Sequence, residues 1–154
     1  MKLLLDTTYF LPIIGIGVKN IPKAALGELL KRNYNIFVSE ISIFELSAKG
    51  AKYVAEGKIP PERVLRGIRA ILYEDKVVKV PIHESRSLLT SFKLRRMLPD
   101  FIDCIILSSA IVNCDVLITE DEDIHRLKQN KGFNELLTVT KPDFKIVRVT
   151  DVLS

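Results

Sequence analysis

The chain has little of what thiolate, imidazole or disulfide chemistry requires. It holds two cysteines, Cys104 and Cys114, and two histidines, His83 and His125. Both cysteines fall on one apolar stretch. If that stretch is helical they lie about 15 Å apart, too far to bridge. They read as reduced core residues, which fits a reducing compartment. No cysteine–histidine cluster with zinc-ligand spacing occurs. The histidines stand alone at unrelated positions and read as structural or surface residues rather than as a general base. Also missing is any apolar run of about 18 residues, the length that spans a membrane. Leu3 to Leu5 meets Asp6 at once, too short for a signal peptide. There is no internal repeat, low-complexity tract or interdomain linker. The expectation is therefore a soluble, cytoplasmic protein with one domain over residues 1–154. An excess of one charge sign is nearly missing too. The formal net charge is +4 and the pI about 9.1. That permits nucleic-acid binding without requiring it. A basic surface around an acidic pocket would be more telling, because phosphates need cations while a metal needs anions.

What is present is a sizeable apolar fraction, 47% of residues, arranged in short runs that end in acids. The segment Pro99 to Asp123, PDFIDCIILSSAIVNCDVLITEDED, organises the rest. Its centre, Ile102 to Val112, is apolar with small residues at Ser108, Ser109 and Ala110, which suits a helix buried on most of its surface. Asp100 and Asp103, at its start, are spaced to face the same way. A short strand, Val116 to Ile118, leads into Thr119-Glu120-Asp121-Glu122-Asp123. In α/β sheets the C-terminal strand edge is where sites form. Carboxylates gathered there repel unless a proton or cation sits between them.

The remaining elements follow the same logic. Lys2 to Leu5 reads as a buried strand ending at Asp6, with Thr7-Thr8 capping a helix from Tyr9 to Ile16. A helix is expected from Pro22 to about Arg32, then a strand at Ile36 to Val38. Ser39 can cap the next helix, whose core face is expected to hold Ile41, Phe44 and Ala48. Glu45 lies beside Phe44; Lys49 and Lys52, at i+4 and i+7, make a surface ion pair its bland interpretation. Pro60-Pro61 opens a helix with Val64, Leu65, Ile68, Ile71 and Leu72 as its apolar face. Arg63, Arg66 and Arg69 form a basic stripe, more commonly a solvated face than an RNA contact. A strand at Val77 to Val80, a helix from Ile82 to Met97, a short helix Ile124 to Lys128, a loop Asn130 to Pro142 and a strand Lys145 to Val149 complete the chain. Strands alternating with helices imply a parallel sheet covered on both faces, an α/β/α sandwich. Phe10, Leu11, Ile13 and Ile14 exceed one buried face, so an apolar patch needing cover is expected there.

The acids stand in a definite order: Asp6 after the first strand, Glu45 in the helix after the second, Asp103 at the start of the apolar helix, Asp121 after the next strand. With the surrounding residues LLLDTTYF, SIFELSAKG, DFIDCIILSSAI and VLITEDEDI, this order resembles the PIN-domain nucleases, especially the small toxins of VapBC toxin–antitoxin pairs. The resemblance covers nearly the whole chain. It is most specific from Asp103 to Asp121 and weakest at Glu45. It implies metal-binding or catalytic acids at Asp6, Glu45, Asp103 and Asp121, with Thr7 and Thr119 as supporting polar positions. Asp123 matches a variable, sometimes acidic position. Glu120 and Glu122 make the last loop unusually acidic, so the acid that faces a metal there stays open. The resemblance also implies an RNA substrate, a homodimer and a cognate antitoxin.

Hard oxygen ligands without nitrogen or sulfur favour Mg²⁺ or Mn²⁺ over Zn²⁺. Such a site suits phosphodiester hydrolysis, with Asp6, Asp103 and Asp121 holding the ion and Glu45 holding a second ion or orienting water. The acids alone would serve DNA equally. A phosphatase of the haloacid dehalogenase type would also begin with a strand ending in Asp, but wants a second Asp where Thr8 stands. A stand-alone PIN nuclease in RNA processing would carry the same acids as a toxin. A PIN fold kept as a binding module would have lost one or more of the four. Each acid taken singly could also be a mere helix cap or surface residue.

Overall fold

The computed structural model describes residues 1–154. Five parallel strands form one sheet in the order β3-β2-β1-β4-β5. They are β1 (Lys2–Leu5), β2 (Asn35–Ser39), β3 (Val77–Val80), β4 (Val116–Ile118) and β5 (Lys145–Val147). The Leu-Leu-Leu run places β1 at the centre, because its alternating side chains must be buried on both faces. Leu3 and Leu5 join one apolar core with Phe10, Leu29, Ile36 and Ile118; Leu4 joins the other with Ile106, Leu107, Leu117 and Phe133. The helices α1 (Ala25–Lys31), α2 (Glu40–Ala55), α3 (Pro61–Leu72), α4 (Ser85–Leu94), α5 (Phe101–Asn113), α6 (Glu122–Arg126), α7 (Lys131–Thr140) and α8 (Val149–Leu153) connect and flank the strands. The expected α/β/α sandwich is the observed architecture. Cys104 and Cys114 are buried free thiols, which burial pushes up to about 11 and about 12.

Several local expectations are corrected. The segment after β1 is a 3-10 helix, Thr7–Ile14, capped by Asp6 rather than by Thr7 or Thr8. Pro12, inside this helix, has no N–H to give, and its carbonyl accepts from Gly15 N–H at the helix end. Gly15, at φ 93°, ends the turn in the left-handed region. Phe10 and Ile14 are buried in it, so the patch expected there does not exist. In α2 the inward face is Ser42, Leu46 and Gly50, leaving Phe44 65% exposed. Gly50 sits where a Cβ would run into the Val64 side chain, so α3 approaches α2 closely at this position. In α3 Val64, Gly67 and Ile71 point inward, while Leu65 and Leu72 are exposed. Arg63 is no part of a free basic stripe: its guanidinium donates to the carbonyls of Ile13 and Pro12.

Helix limits shift as well. α1 begins at Ala25, after a turn in which Ala25 N–H bonds the Pro22 carbonyl. α4 begins at Ser85 because the Glu84 carboxylate caps the N–H groups of Arg86 and Ser87, and it ends at Leu94. The stretch expected as a loop contains α7, whose start is capped by Asn130 and anchored by buried Phe133. β5 stops at Val147, and Val149 opens α8.

Candidate active site

β1 and β4 pair in parallel register, Leu5 opposite Ile118, so the residues that follow each strand emerge side by side. Asp6 N–H bonds the Ile118 carbonyl at 3.0 Å. The Asp6 carboxylate, in a residue only 8% exposed, accepts from Thr7 N–H at 2.7 Å and from the Thr119 hydroxyl at 2.6 Å. Burial raises its pKa, the two hydrogen bonds oppose that rise, and Glu45 and Asp121 add to it. The Thr7 hydroxyl lies 2.6 Å from Glu45 Oε1 and 2.9 Å from the Ser42 hydroxyl. It has one proton to give and a carboxylate only accepts, so Thr7 donates to Glu45 and Ser42 donates to Thr7.

Asp100 caps α5 by accepting from the N–H groups of Ile102 and Asp103. Asp103, one turn on, has no hydrogen bond to favour its charged form. Burial, then the charges of Asp100, Asp121, Asp6 and Glu45, push its carboxyl up to about 7. Asp121 caps α6 through Ile124 N–H at 3.0 Å. These side chains share one open cleft of about 380 Å³, lined by Asp6, Thr7, Thr8, Glu45, Lys49, Asp100, Asp103, Glu120 and Asp121, with no apolar residue. Asp6, Asp100 and Asp121 are caps as well as cleft residues. Capping a helix and facing the site thus go together here: capping fixes the carboxylate, and the helix N-terminus offsets part of its charge.

The four candidate acids Asp6, Glu45, Asp103 and Asp121 are therefore brought to one place, with Thr7 and Thr119 holding Asp6 and Glu45. Asp123 is not; it pairs with Arg126 at 2.8 Å on the surface. Glu122 pairs with Arg148 at 2.6 Å, and that guanidinium lowers its pKa. Glu120 reaches the cleft with its oxygens already engaged by Tyr9 hydroxyl, Val149 N–H and Arg148. Asp121 is thus the acid of this loop presented to the cleft without a cationic partner. His125 has a structural role, Nε2–H to the Thr119 carbonyl at 2.9 Å. Sequence reasoning left out Thr8 and Lys49 as lining residues, gave Asp100 no place in the site, and left open whether Glu120 faces it. Asp100 was signalled by its Asp-x-x-Asp spacing. Lys49 was signalled by its place one turn after Glu45, but the surface ion pair expected there does not form: Glu45 engages Thr7 instead.

A divalent cation is the group this donor set suits. The lining oxygens are hard and mostly anionic, and the raised pKa values of Asp6 and Asp103, caused first by burial and further by the neighbouring acids, mark carboxylates whose charge nothing in the cleft fully offsets. No three acids close into a ready ligand cage. That is compatible with Mg²⁺, which takes one or two carboxylates and keeps several waters.

A parallel sheet with this strand order, and an acidic cleft at the C-terminal end of its central strands, is the setting of a PIN domain. The PIN domain family model matches residues 3–130, and the chain belongs to that family. Among solved structures it is similar to that of VapBC2 from Rickettsia felis bound to a DNA fragment from their promoter. The TM-score is 0.60 at 17% identity, covering 96% of this chain and 98% of that one, a likeness of fold. No curated protein matches the chain.

Proposed function

We propose that this PIN domain is a divalent-metal-dependent endoribonuclease and the toxin of a toxin–antitoxin pair. The observation that carries the proposal is the all-polar cleft to which β1, α2, α5 and the segment after β4 each bring an acid. Mg²⁺ or Mn²⁺ would be held among Asp6, Asp103 and Asp121, one or two of them as direct ligands and the rest through water, with Glu45 holding a second ion or orienting water. A bound ion supplies an activated water and charge stabilisation for phosphodiester hydrolysis. The protein's share is positioning. Thr119 and the Thr7 N–H fix Asp6, and the Thr7 hydroxyl fixes Glu45. The Asp103 carboxyl, pushed up to about 7 by burial and then by the neighbouring acids, would be favoured in its charged form by a bound cation.

RNA as substrate rests on the family resemblance. A cognate antitoxin is proposed from the likeness to VapBC2. The apolar face between α2 and α3, with Ala51, Val54, Leu65 and Ile68, offers it a surface. The homodimer remains a proposal, now on different residues: exposed Leu89 and Phe92 on α4, with Phe92 stacked on Phe101 at 6.1 Å. Cytoplasmic action follows from the same proposal. No helix is long and apolar enough to cross a membrane.

The test is cleavage of mixed RNA with Mn²⁺, with EDTA, and by Asp103→Asn. Metal-dependent cleavage lost in the variant is expected. Activity undiminished by EDTA, or retained in Asp103→Asn, refutes the mechanism. A monomer by light scattering at high micromolar concentration refutes the dimer.

A further inference from the structure

Beside the acidic cleft lies a second cavity of about 370 Å³, bounded by the end of the 3-10 helix, the segment after it, and α2. Its polar lining is cationic. Lys19 comes from the segment after the 3-10 helix, Lys49 and Lys52 come from α2, and no acid lines it. The ion pairs of the protein involve other cations, so these three ammonium groups have no carboxylate partner. Lys49 is a wall of both cavities. Along α2, Glu45 at the cleft is followed by Lys49 and Lys52 within about 10 Å of helix axis.

This arrangement answers a difficulty raised by the cleft itself. A nucleic-acid strand brings one negative charge per nucleotide to a surface already lined by Asp6, Glu45, Asp100, Asp103, Glu120 and Asp121. A bound cation relieves that repulsion only at the phosphate it touches. The neighbouring phosphates need cations of their own, and backbone neutralisation by lysine is the main sequence-independent source of affinity. Single exposed lysines are ordinary solvated residues. Here three exposed ones without a carboxylate partner, from two separate segments, surround one concavity that adjoins the cleft.

We infer that the pocket of Lys19, Lys49 and Lys52 is a phosphate subsite that holds the single strand next to the scissile bond, fixing the direction in which it crosses the cleft. The inference rests on the nuclease proposal for its position in a reaction, but it is tested by binding alone. A labelled single-stranded RNA oligonucleotide is titrated in EDTA, by fluorescence anisotropy, against wild type, Lys19→Gln/Lys52→Gln, and the control Lys131→Gln/Lys145→Gln. The control removes equal charge from exposed sites at α7 and β5.

The Lys19/Lys52 variant is expected to bind about tenfold more weakly, with a slope of log affinity against log salt shallower by about 1.4, roughly 0.7 per lost contact. The control should stay near wild type, and all three proteins should melt alike. With Mn²⁺, KM should rise in the Lys19/Lys52 variant with kcat unchanged. A Lys19/Lys52 variant with wild-type affinity and slope overturns the subsite, as does a control that loses as much, or a wild type that binds no single strand. If the Lys19/Lys52 variant keeps RNA binding and loses a protein partner instead, the pocket is a protein contact and the inference also fails. Wild type that binds RNA through these lysines but does not cleave it refutes the nuclease while leaving the subsite standing.

Discussion

Asp6 and Asp103 face one cleft from two unlike supports. Asp6, at the end of the central strand, has a donor on each oxygen and a backbone bond to the neighbouring strand. Asp103, in the first turn of α5, has no donor on its oxygens; burial first, then the charges of Asp100, Asp121, Asp6 and Glu45, push its carboxyl up to about 7. Burial is the largest cause in both cases. What differs is that hydrogen bonds oppose it at Asp6 and nothing opposes it at Asp103. The strand-end acid is locked in place as part of the framework. The helix acid carries a charge that depends on what else is in the cleft.

The comparison is broken most forcefully by removing each acid in turn. Asp103→Asn and Asp6→Ala should both lose Mn²⁺-dependent RNA cleavage by on the order of a hundredfold or more, beyond the 10- to 100-fold typical of a ligand's supporting residues. Their stabilities should move in opposite directions. Asp103→Asn should melt at or above wild type without metal, since a repelled charge is gone. Asp6→Ala strands the Thr7 N–H and Thr119 hydroxyl and should cost about 1–3 kcal/mol. Equal destabilisation by both would erase the distinction.

Metal addition sharpens it next. Mn²⁺ at about 100 times its Kd should stabilise wild type by about 2.7 kcal/mol, read as a rise in melting temperature. Asp103→Asn should lose most of that rise. Thr119→Val isolates the framework side. It keeps every acid but removes the donor at 2.6 Å from Asp6, and should cost about 2 kcal/mol in urea unfolding.

The remaining effect is on pH. Asp103 ionises near its ordinary 3.8 when unfolded and near 7 when folded. Between those values the folded state binds more protons, so stability falls as pH rises through that window. The facing acids Asp6, Asp100, Asp121 and Glu45 supply the repulsion. The metal-free melting temperature should therefore drop from pH 5 to pH 8 in wild type and drop less in Asp103→Asn. A parallel pair of curves would remove Asp103 from the explanation.

Much of the framework was legible because short apolar runs end where the sheet ends. Leu3 to Leu5 before Asp6, and Val116 to Ile118 before Thr119, mark strands and site edge together, since a strand buried on both faces has no polar alternation to confuse. What was hidden is what distant residues decide. α7 carries Gly132, Asn134, Thr138, Val139 and Thr140, poor helix formers, and is held by Phe133 packing into a core that local pattern does not reveal. Phe44 looked like a core residue, but the bond from Thr7 to Glu45 and the seat of Gly50 against Val64 turn it outward. Glu120 was indistinguishable from Asp121 until Arg148 and Tyr9, from opposite ends of the chain, claimed its oxygens.

The strand order has a consequence for how the protein comes into being. β1 is made first but lies between β2 and β4, and its bonds to β4 are what bring Thr119 and Asp121 beside Asp6. During synthesis from the N-terminus, that pairing must wait until the chain has emerged past Asp121. It then closes a long loop, a slow step in parallel sheets. A nascent chain on the ribosome therefore carries Asp6 and Glu45 without an assembled cleft until β4 and the acid that follows it have emerged as well.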